Sequence, residues 1–379
     1  MSLHDAIAKY VESGDSLCFG GFTTNRKPYA AVYEIIRQGQ TDFIGYSGPA
    51  GGDWDMLIGC GRIKAFINCY IANSGYTNVC RRFRDAVEKK HNLLLEDYSQ
   101  DVIMLMLHAS SLGLPYLPVK LMEGSDLEYK WGISAEIRKT IPKLPDKKLE
   151  RIPNPFKEGD EVIAVPVPRL DTAIISVQKA SINGTCSIEG DEFHDIDIAI
   201  AARKVIVIAE EIVSEEEIRR DPAKNSIPQF CVDAVVHVPY GTHPSQLYNY
   251  YDYDADFYKM YDKVTKTDED VHEAVADTIR GKAIGIIREK HMAPIYVPED
   301  SPLIQTFMKV YKEATGDFEA KPKIIGGGTY SRAMKNFVAY GGIFPGEEEL
   351  AHQKNEYIKI DSLIAMTKIY AEAIYRLCK

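Results

Sequence analysis

The feature of this sequence that most limits its fold is a repeated alternation of short apolar runs and helical patterns. The first apolar run, residues 16–22, ends in glycines and is followed by helical spacing over residues 28–38. Further runs rich in β-branched residues lie at 41–46, 65–70, 161–167, 171–177, 204–209 and 231–238. Residues 102–107 fit either a strand or an apolar helix. Strands that alternate with helices predict an α/β fold, with a mostly parallel sheet and helices on both faces.

The chain divides into two patterned parts. Its 379 residues exceed the size of most single hydrophobic cores, so two domains are expected. A polar stretch at residues 265–270 lies between the parts. We therefore predict a first domain over residues 1–266, a junction over 267–284 and a C-terminal segment over 285–379.

The C-terminal segment has its own helix and strand signals. Ser301 and Pro302 predict the start of a helix, and Gly316 predicts its end. Asp361 predicts the cap of a last helix that runs to residue 377. Strands are predicted at 283–287, 293–297 and 323–325. These signals indicate a small α/β segment appended to the first domain.

The charge of the chain argues against a nucleic-acid partner, since the formal net charge is −10. The densest basic run, residues 80–84, is typical of a solvated helix start, although an anionic ligand could use it. No apolar stretch reaches the roughly 18 residues of a membrane span, and the N-terminus lacks a signal pattern. Seven cysteines without a C-x-x-C pair fit reduced thiols. We predict no membrane association and a cytoplasmic location.

Three loops of small residues follow apolar runs at comparable positions. They contain Gly20 and Gly21, Gly51 and Gly52, and Ser74. Because the carboxyl ends of parallel strands meet at one edge of a sheet, these loops predict a crevice there. Glycine lets backbone N–H groups approach a ligand, but ordinary strand-to-helix turns explain the same glycines. The loops lack a dinucleotide fingerprint and a phosphate-binding loop.

The first two-thirds of the chain resembles the A subunits of family I CoA-transferases of the glutaconate type. The matching stretches are 20–32, 50–59, 67–70, 72–75, 96–101, 131–134, 218–222 and 240–246. The resemblance implies transfer of CoA between carboxylic acids, with a glutaconate-like acceptor. It also implies a partner B subunit, which supplies the glutamate that attacks the acyl-CoA thioester.

The same resemblance implies roles for the small-residue loops. Ser74 matches a serine that contacts substrate, so its hydroxyl is expected to donate to a substrate carboxylate. Gly20, Gly21, Gly51 and Gly52 are expected to shape the neighbouring backbone of the substrate-binding site. The resemblance implies no catalytic residue in this chain and no resident cofactor, because the CoA thioester is itself a substrate.

Two further carboxylate motifs are weaker candidates. Glu189, followed by Gly190, resembles the glutamate-glycine setting of the catalytic subunit. An A subunit does not carry the nucleophile at this position. We therefore predict that Glu189 is a solvated residue of a turn. Residues 194–197, His-Asp-Ile-Asp, could suggest metal ligands. Without flanking ligand spacing we predict a turn.

The C-terminal segment is similar to the end of M20-family dipeptidases of the PepV type. The matching stretches are 291–298, 325–332, 344–346 and 351–358. The resemblance implies that His352 matches a zinc ligand and that Arg332 matches an arginine binding a substrate carboxylate. A catalytic zinc site needs about three protein ligands, so His352 alone should not hold the metal.

These observations leave three hypotheses. The first is a CoA-transferase A subunit that is active only with a B subunit. The second is a metallopeptidase remnant, and the third is an inactive fusion product.

Overall fold

The structure is a computed structural model. It describes residues 1–77, 80–130, 132–265, 297–322 and 357–378, together with 338, 340, 341, 344, 346 and 347. The chain forms two compact units, Met1–Glu289 and Lys290–Lys379. The predicted junction at 267–284 lies outside the described residues, so the domain boundaries stay a prediction.

Among the described residues, the strands lie in the first unit. They are β1 (Ser16–Phe19), β2 (Phe43–Tyr46), β3 (Ile63–Asn68), β4 (Leu94–Asp97), β5 (Tyr116–Val119), β6 (Glu150–Pro153), β7 (Glu161–Pro166), β8 (Thr172–Ser181), β9 (Cys186–Ser187), β10 (Lys204–Val213) and β11 (Ala234–His237).

Helices lie before, between and after these strands. They are α1 (Leu3–Tyr10), α2 (Tyr29–Gln38), α3 (Gly52–Gly59), α4 (Arg81–Arg84), α5 (Gln100–Ser111), α6 (Asp126–Tyr129), α7 (Ala135–Arg138), α8 (Asp195–Ala201), α9 (Glu215–Ile218), α10 (Ala255–Val264), α11 (Pro302–Thr315) and α12 (Ile360–Leu377). A π-helical turn, Asp85–Lys89, continues α4, and short 3-10 turns lie at Pro222–Lys224 and Gln229–Cys231.

The main sheet confirms the predicted α/β fold. Its strands lie in the order β11-β10-β8-β1-β2-β3-β4, all parallel, and β9 pairs antiparallel with β8. Alternate residues of the central strand enter different apolar clusters: Leu17 and Phe19 belong to one and Cys18 to the other. Both faces of the sheet are therefore covered, as a buried parallel sheet requires.

A second sheet departs from the prediction. The run at 161–167 is strand β7, but it pairs antiparallel between β5 and β6 instead of joining the parallel series. The two edge strands escaped prediction because each is short and contains a proline, Pro118 or Pro153. Proline cannot donate a ladder hydrogen bond and is confined to edges of this kind.

The ambiguous run at 102–107 is helical. It lies within α5, which Ser99 caps by accepting a hydrogen bond from the Val102 N–H. The buried residues Val102, Ile103, Met106 and Leu107 recur at helical spacing along one face.

Helix α10, near the end of the resemblance, packs back onto the first unit. The Tyr261 hydroxyl donates to the buried carboxylate of Asp55 at 2.9 Å. Arg81 of α4 forms a two-pronged ion pair with Asp262, at 2.7 and 2.9 Å. The described part of this unit therefore ends on a docked helix.

The second unit is described by its two helices. The predicted helix after Ser301 is confirmed as α11: the Ser301 side chain accepts from the Ile304 N–H, and Gly316 ends the helix at φ +73°. Helix α12 ends as predicted at Leu377, but the predicted cap is wrong, because Asp361 lies inside the first turn after Lys359. The predicted strands at 283–287, 293–297 and 323–325 lie outside the described residues, apart from Val297.

A small core joins the helices of the second unit. Val310 packs with Ile369 and Ala373, and the Phe307 ring stacks on Tyr340 at 4.3 Å. Within the described ranges, no helix of the chain is long and apolar enough to cross a membrane.

The Asp55 carboxyl should make folding sensitive to pH. Burial raises the pKa of Asp55 to about 6, against an unfolded value near 3.9. As pH rises between these two pKa values, Asp55 loses its proton in the unfolded chain but keeps it in the folded protein. The contribution of Asp55 to the free energy of unfolding therefore falls as pH rises. We expect wild type to lose about 2 kcal/mol relative to Asp55→Asn between pH 4.5 and 7.

The measurement is urea unfolding of both proteins across this pH range, followed by the fluorescence of the chain's two tryptophans, of which Trp54 is fully buried. The lost hydrogen-bond acceptor gives the variant a constant offset, so the change of the difference with pH isolates the carboxyl group. A difference that stayed constant across the range would contradict the expectation.

Candidate functional site

The three small-residue loops lie together at the carboxyl ends of β1, β2 and β3. The Thr23 N–H donates to the Pro49 carbonyl at 3.0 Å, which joins the first loop to the second. The Ala50 N–H donates to the Tyr70 carbonyl at 2.8 Å, and the Ala72 N–H returns to the Ala50 carbonyl at 3.2 Å. The structure therefore brings the predicted crevice loops into direct contact.

The first glycine pair is shaped by a buried carboxylate. A Cβ on Gly20 would lie 2.1 Å from Asp195 Oδ1, so no side chain fits there. The Gly21 N–H donates to the same oxygen at 3.1 Å, and Gly21 has φ +76°, which favours glycine. These two glycines let the loop close onto Asp195.

The second glycine pair is shaped by the neighbouring loops. A Cβ on Gly51 would lie 2.5 Å from the Thr23 carbonyl oxygen, and one on Gly52 would lie 2.6 Å from the hydroxyl oxygen of Tyr29. The Gly51 N–H donates to Asp53 Oδ1 at 3.0 Å, and the Gly52 N–H donates to Asn73 Oδ1 at 2.7 Å. Both N–H groups are used within the protein.

These contacts explain why glycine occupies all four positions without any contact with a substrate. The Gly20 N–H likewise donates to the Ile174 carbonyl, at 3.0 Å. Contact of Gly20, Gly21, Gly51 or Gly52 with substrate stays a prediction.

Asp195 forms a buried ion pair with Arg26. The guanidinium nitrogens lie 2.9 and 2.8 Å from the two carboxylate oxygens, and they also donate to the Ser176 and Asp191 carbonyls. Both side chains are almost fully buried. A planar guanidinium matches a carboxylate in this two-pronged geometry, which fixes the orientation of both groups.

Residues 194–197 were predicted as a turn, but His194 is the N-cap of α8 and residues 195–197 form its first turn. The His194 ring nitrogen Nε2 contacts the Phe19 carbonyl oxygen at 2.9 Å. Burial lowers the pKa of His194 and keeps the ring neutral, so Nε2 donates this bond. His194 is therefore part of the packing beneath the first loop.

A second buried ion pair joins the first loop to α3. Lys27 Nζ lies 3.1 Å from Asp53 Oδ2 and donates to the Gly20 carbonyl at 3.2 Å. Neither charged side chain has any exposed surface. The carboxylates of Asp53 and Asp195 are thus both buried in ion pairs beneath the crevice loops.

Ser74 differs from these buried groups because its side chain reaches the surface. It lies in the turn after β3, half-buried, and its hydroxyl is 3.2 Å from that of Tyr70. Tyr70 is itself 44% exposed. A substrate carboxylate approaching this edge could therefore accept a hydrogen bond from Ser74.

The other candidate residues of the first unit have partners of their own. Glu189 follows β9. Its carboxylate accepts a hydrogen bond from the Asn249 side chain and lies 3.7 Å from Lys224 Nζ, so it has partners within the protein that the predicted solvated turn did not include. In the basic run, Arg82 pairs with Asp85 and Arg84 with Glu88, as Arg81 does with Asp262. This run is neutralised within the fold, which argues against a role in binding CoA.

His352 and Arg332 lie outside the described residues, so their predicted roles stay predictions. Within the described ranges there is no group of three or more His, Cys, Asp or Glu side chains that could hold a metal ion.

Sequence reasoning missed the residues that organise the site. Arg26 and Asp195 are 169 positions apart, and Asp53 lies in α3 whereas Asn73 lies in the turn after β3. The available signal was local and concerned Asp53, which directly follows the Gly51–Gly52 pair. No spacing rule reveals which distant carboxylate a buried cation meets.

The fold and this loop arrangement define a class of protein. The family model described as "Coenzyme A transferase" matches residues 1–238, and the chain belongs to this family. The A subunit of glutaconate CoA-transferase of Acidaminococcus fermentans is 64% identical over 270 residues, covering 71% of this chain and 84% of that protein. The A subunit of 3-oxoadipate CoA-transferase of Pseudomonas knackmussii is 31% identical over 283 residues, covering 74% and 93%.

Solved structures give the same family. The crystal structure of glutaconate coenzyme A-transferase from Acidaminococcus fermentans matches with TM-score 0.72 and 62% identity, covering 74% of this chain and 88% of that one. The decarboxylase AibA/AibB matches with TM-score 0.61 and 25% identity, covering 74% and 97%.

A separate set of relatives matches a small part of the chain. The Bacillus subtilis protein YtjP, a dipeptidase by name, is 49% identical over 90 residues. This stretch is 24% of the present chain and only 19% of YtjP. The match supports the predicted dipeptidase resemblance while leaving most of such a protein without a counterpart here.

The buried Arg26–Asp195 pair should be costly to break. Asp195→Asn removes one charge and leaves the guanidinium uncompensated in the interior, so we expect a loss of about 3–5 kcal/mol of unfolding free energy. Glu88→Gln is the matched control, because it breaks an ion pair whose side chains are both more than half exposed. That variant should lose less than about 1 kcal/mol. Urea unfolding followed by tryptophan fluorescence measures both, and equal small losses would contradict the expectation.

Proposed function

We propose that this chain is the A subunit of a CoA-transferase that moves CoA between carboxylic acids and uses a glutaconate-like acceptor. The observation that carries the proposal is the 64% identity over 270 residues to a protein named as the A subunit of glutaconate CoA-transferase. That stretch is long enough to hold the whole parallel sheet and its crevice loops. We place the protein in the cytoplasm, which its seven free cysteines support.

The chemistry requires an accessible carboxylate. A glutamate oxygen attacks the thioester carbonyl and expels the CoA thiolate, which gives a mixed anhydride. The thiolate then attacks the glutamyl carbonyl and releases the first acid, which leaves a glutamyl-CoA thioester. The acceptor carboxylate attacks this thioester and expels the thiolate, and the thiolate attacks the acceptor carbonyl of the second anhydride, so that acceptor-CoA leaves and the glutamate carboxylate is regenerated. Asp53 and Asp195 cannot serve as this nucleophile because both are buried in ion pairs.

This chain is therefore proposed to supply one wall of the site, and a B subunit the nucleophilic glutamate. Ser74 donates a hydrogen bond to the substrate carboxylate from the exposed end of the crevice. The CoA thioester is a substrate, and the proposal includes no resident cofactor.

The second unit is not proposed to act as a peptidase. The chain spans only about a fifth of the length of the dipeptidase relatives. A catalytic zinc site needs about three protein ligands, and His352 is one. A metallopeptidase remnant and an inactive fusion product are the alternatives to the transferase.

The proposal is tested by reconstitution. The purified chain is assayed for CoA transfer from acetyl-CoA to glutaconate, alone and after addition of the B subunit of the Acidaminococcus fermentans enzyme. Because each chain holds half of the site, we expect turnover only with both present.

The control is an assay in which the added B subunit is the only protein. Turnover by this chain alone would contradict the split site, and no turnover by the mixture would favour an inactive fusion product.

A further inference from the structure

We propose that Asn73 is a positioning residue, which holds the Ser74 hydroxyl in place by fastening its turn to the start of α3. The proposal rests on the proposed function, since it requires Ser74 to contact the substrate carboxylate.

Asn73 accepts backbone hydrogen bonds both through its side chain and through its own carbonyl. Its Oδ1 accepts the Gly52 N–H at 2.7 Å, and its side chain is almost completely buried. Its backbone carbonyl accepts the N–H groups of Tyr76 and Thr77, at 3.0 and 2.9 Å, and so closes the turn that carries Ser74. One residue thus sets both the shape of the turn and its distance from α3.

The structure to which Asn73 is fastened is rigid. Gly52 is the first residue of α3, and the next residue, Asp53, is held by the buried Lys27 ammonium at 3.1 Å. The missing side chain of Gly52 is also needed here, because a Cβ would lie 3.1 Å from Asn73 Oδ1. The Asn73 amide oxygen therefore links the turn that carries Ser74 to α3, in addition to the backbone hydrogen bonds that Ala50 makes with Tyr70 and Ala72.

Removing that oxygen has a defined consequence. In Asn73→Ala the Gly52 N–H is left buried without its acceptor, and the turn loses its attachment to α3. A reacting or binding group displaced by about 1 Å can cost on the order of 100-fold in rate. The loss should be expressed through Ser74, since Asn73 itself has almost no surface that a substrate could contact.

A double-mutant cycle separates positioning from general damage. In the reconstituted complex with acetyl-CoA and glutaconate, kcat/KM is measured for wild type, Asn73→Ala, Ser74→Ala and the double variant. When Ser74 is present, we expect Asn73→Ala to lower kcat/KM about 10- to 100-fold. In the Ser74→Ala background, the same substitution should lower kcat/KM less than about 3-fold. Equal losses in both backgrounds would overturn the proposal.

Two further variants complete the test. Asn225→Ala is the matched control, because it removes an amide that donates to the Ile218 carbonyl at 2.9 Å in the loop after α9. It should leave kcat/KM within about 2-fold of wild type. Should Asn73→Ala fail to fold, Asn73→Ser replaces it in the cycle, since its shorter side chain stays polar but stops short of Gly52.

The failure of this proposal is distinct from failure of the proposed function. An inactive wild-type complex would overturn the transferase function itself. An active complex in which Ser74→Ala has no effect would overturn both the Ser74 contact and the positioning role while leaving the transferase function intact.

Discussion

The arrangement of the crevice depends first on the buried ion pair between Arg26 and Asp195. This pair joins the loop after β1 to β8 and to the start of α8. A buried pair gains little net stability, because desolvation offsets the attraction, but its two-pronged geometry permits one arrangement of the loops. Gly20 follows from it, since the carboxylate occupies the space that a side chain would need. Gly21 has a different cause, because its Cβ would meet the backbone oxygens of Asn25 and Arg26.

The sequence predicted the parallel sheet because that signal is local: buried strands read as apolar runs, and helices read as a period near four. It did not predict the antiparallel sheet, whose edge strands are short and contain Pro118 and Pro153. The glycine pairs lie after β1 and β2, and their described contacts are with neighbouring loops, β8 and α8. Their role in the substrate-binding site stays a prediction. The partner of Arg26 is 169 residues away, and only folding brings the two together.

At the crevice, the carboxylates are buried in ion pairs and cannot contact a substrate, whereas the Ser74 hydroxyl can. Asp53 and Asp195 are buried against Lys27 and Arg26, whereas Ser74 remains at the surface. This division suits a wall that orients a carboxylate substrate and leaves covalent chemistry to another chain. The second compact unit carries a different resemblance, and the proposed transfer reaction uses no residue from it.

The most direct measurement of this division of labour is mass spectrometry of the two separated chains after the reconstituted complex has reacted with acetyl-CoA in the absence of an acceptor acid. The account predicts an unchanged mass for this chain and a covalent CoA adduct on the B subunit. A CoA adduct on this chain would contradict it, because the nucleophilic carboxylate would then belong to the chain that we describe as the wall of the site.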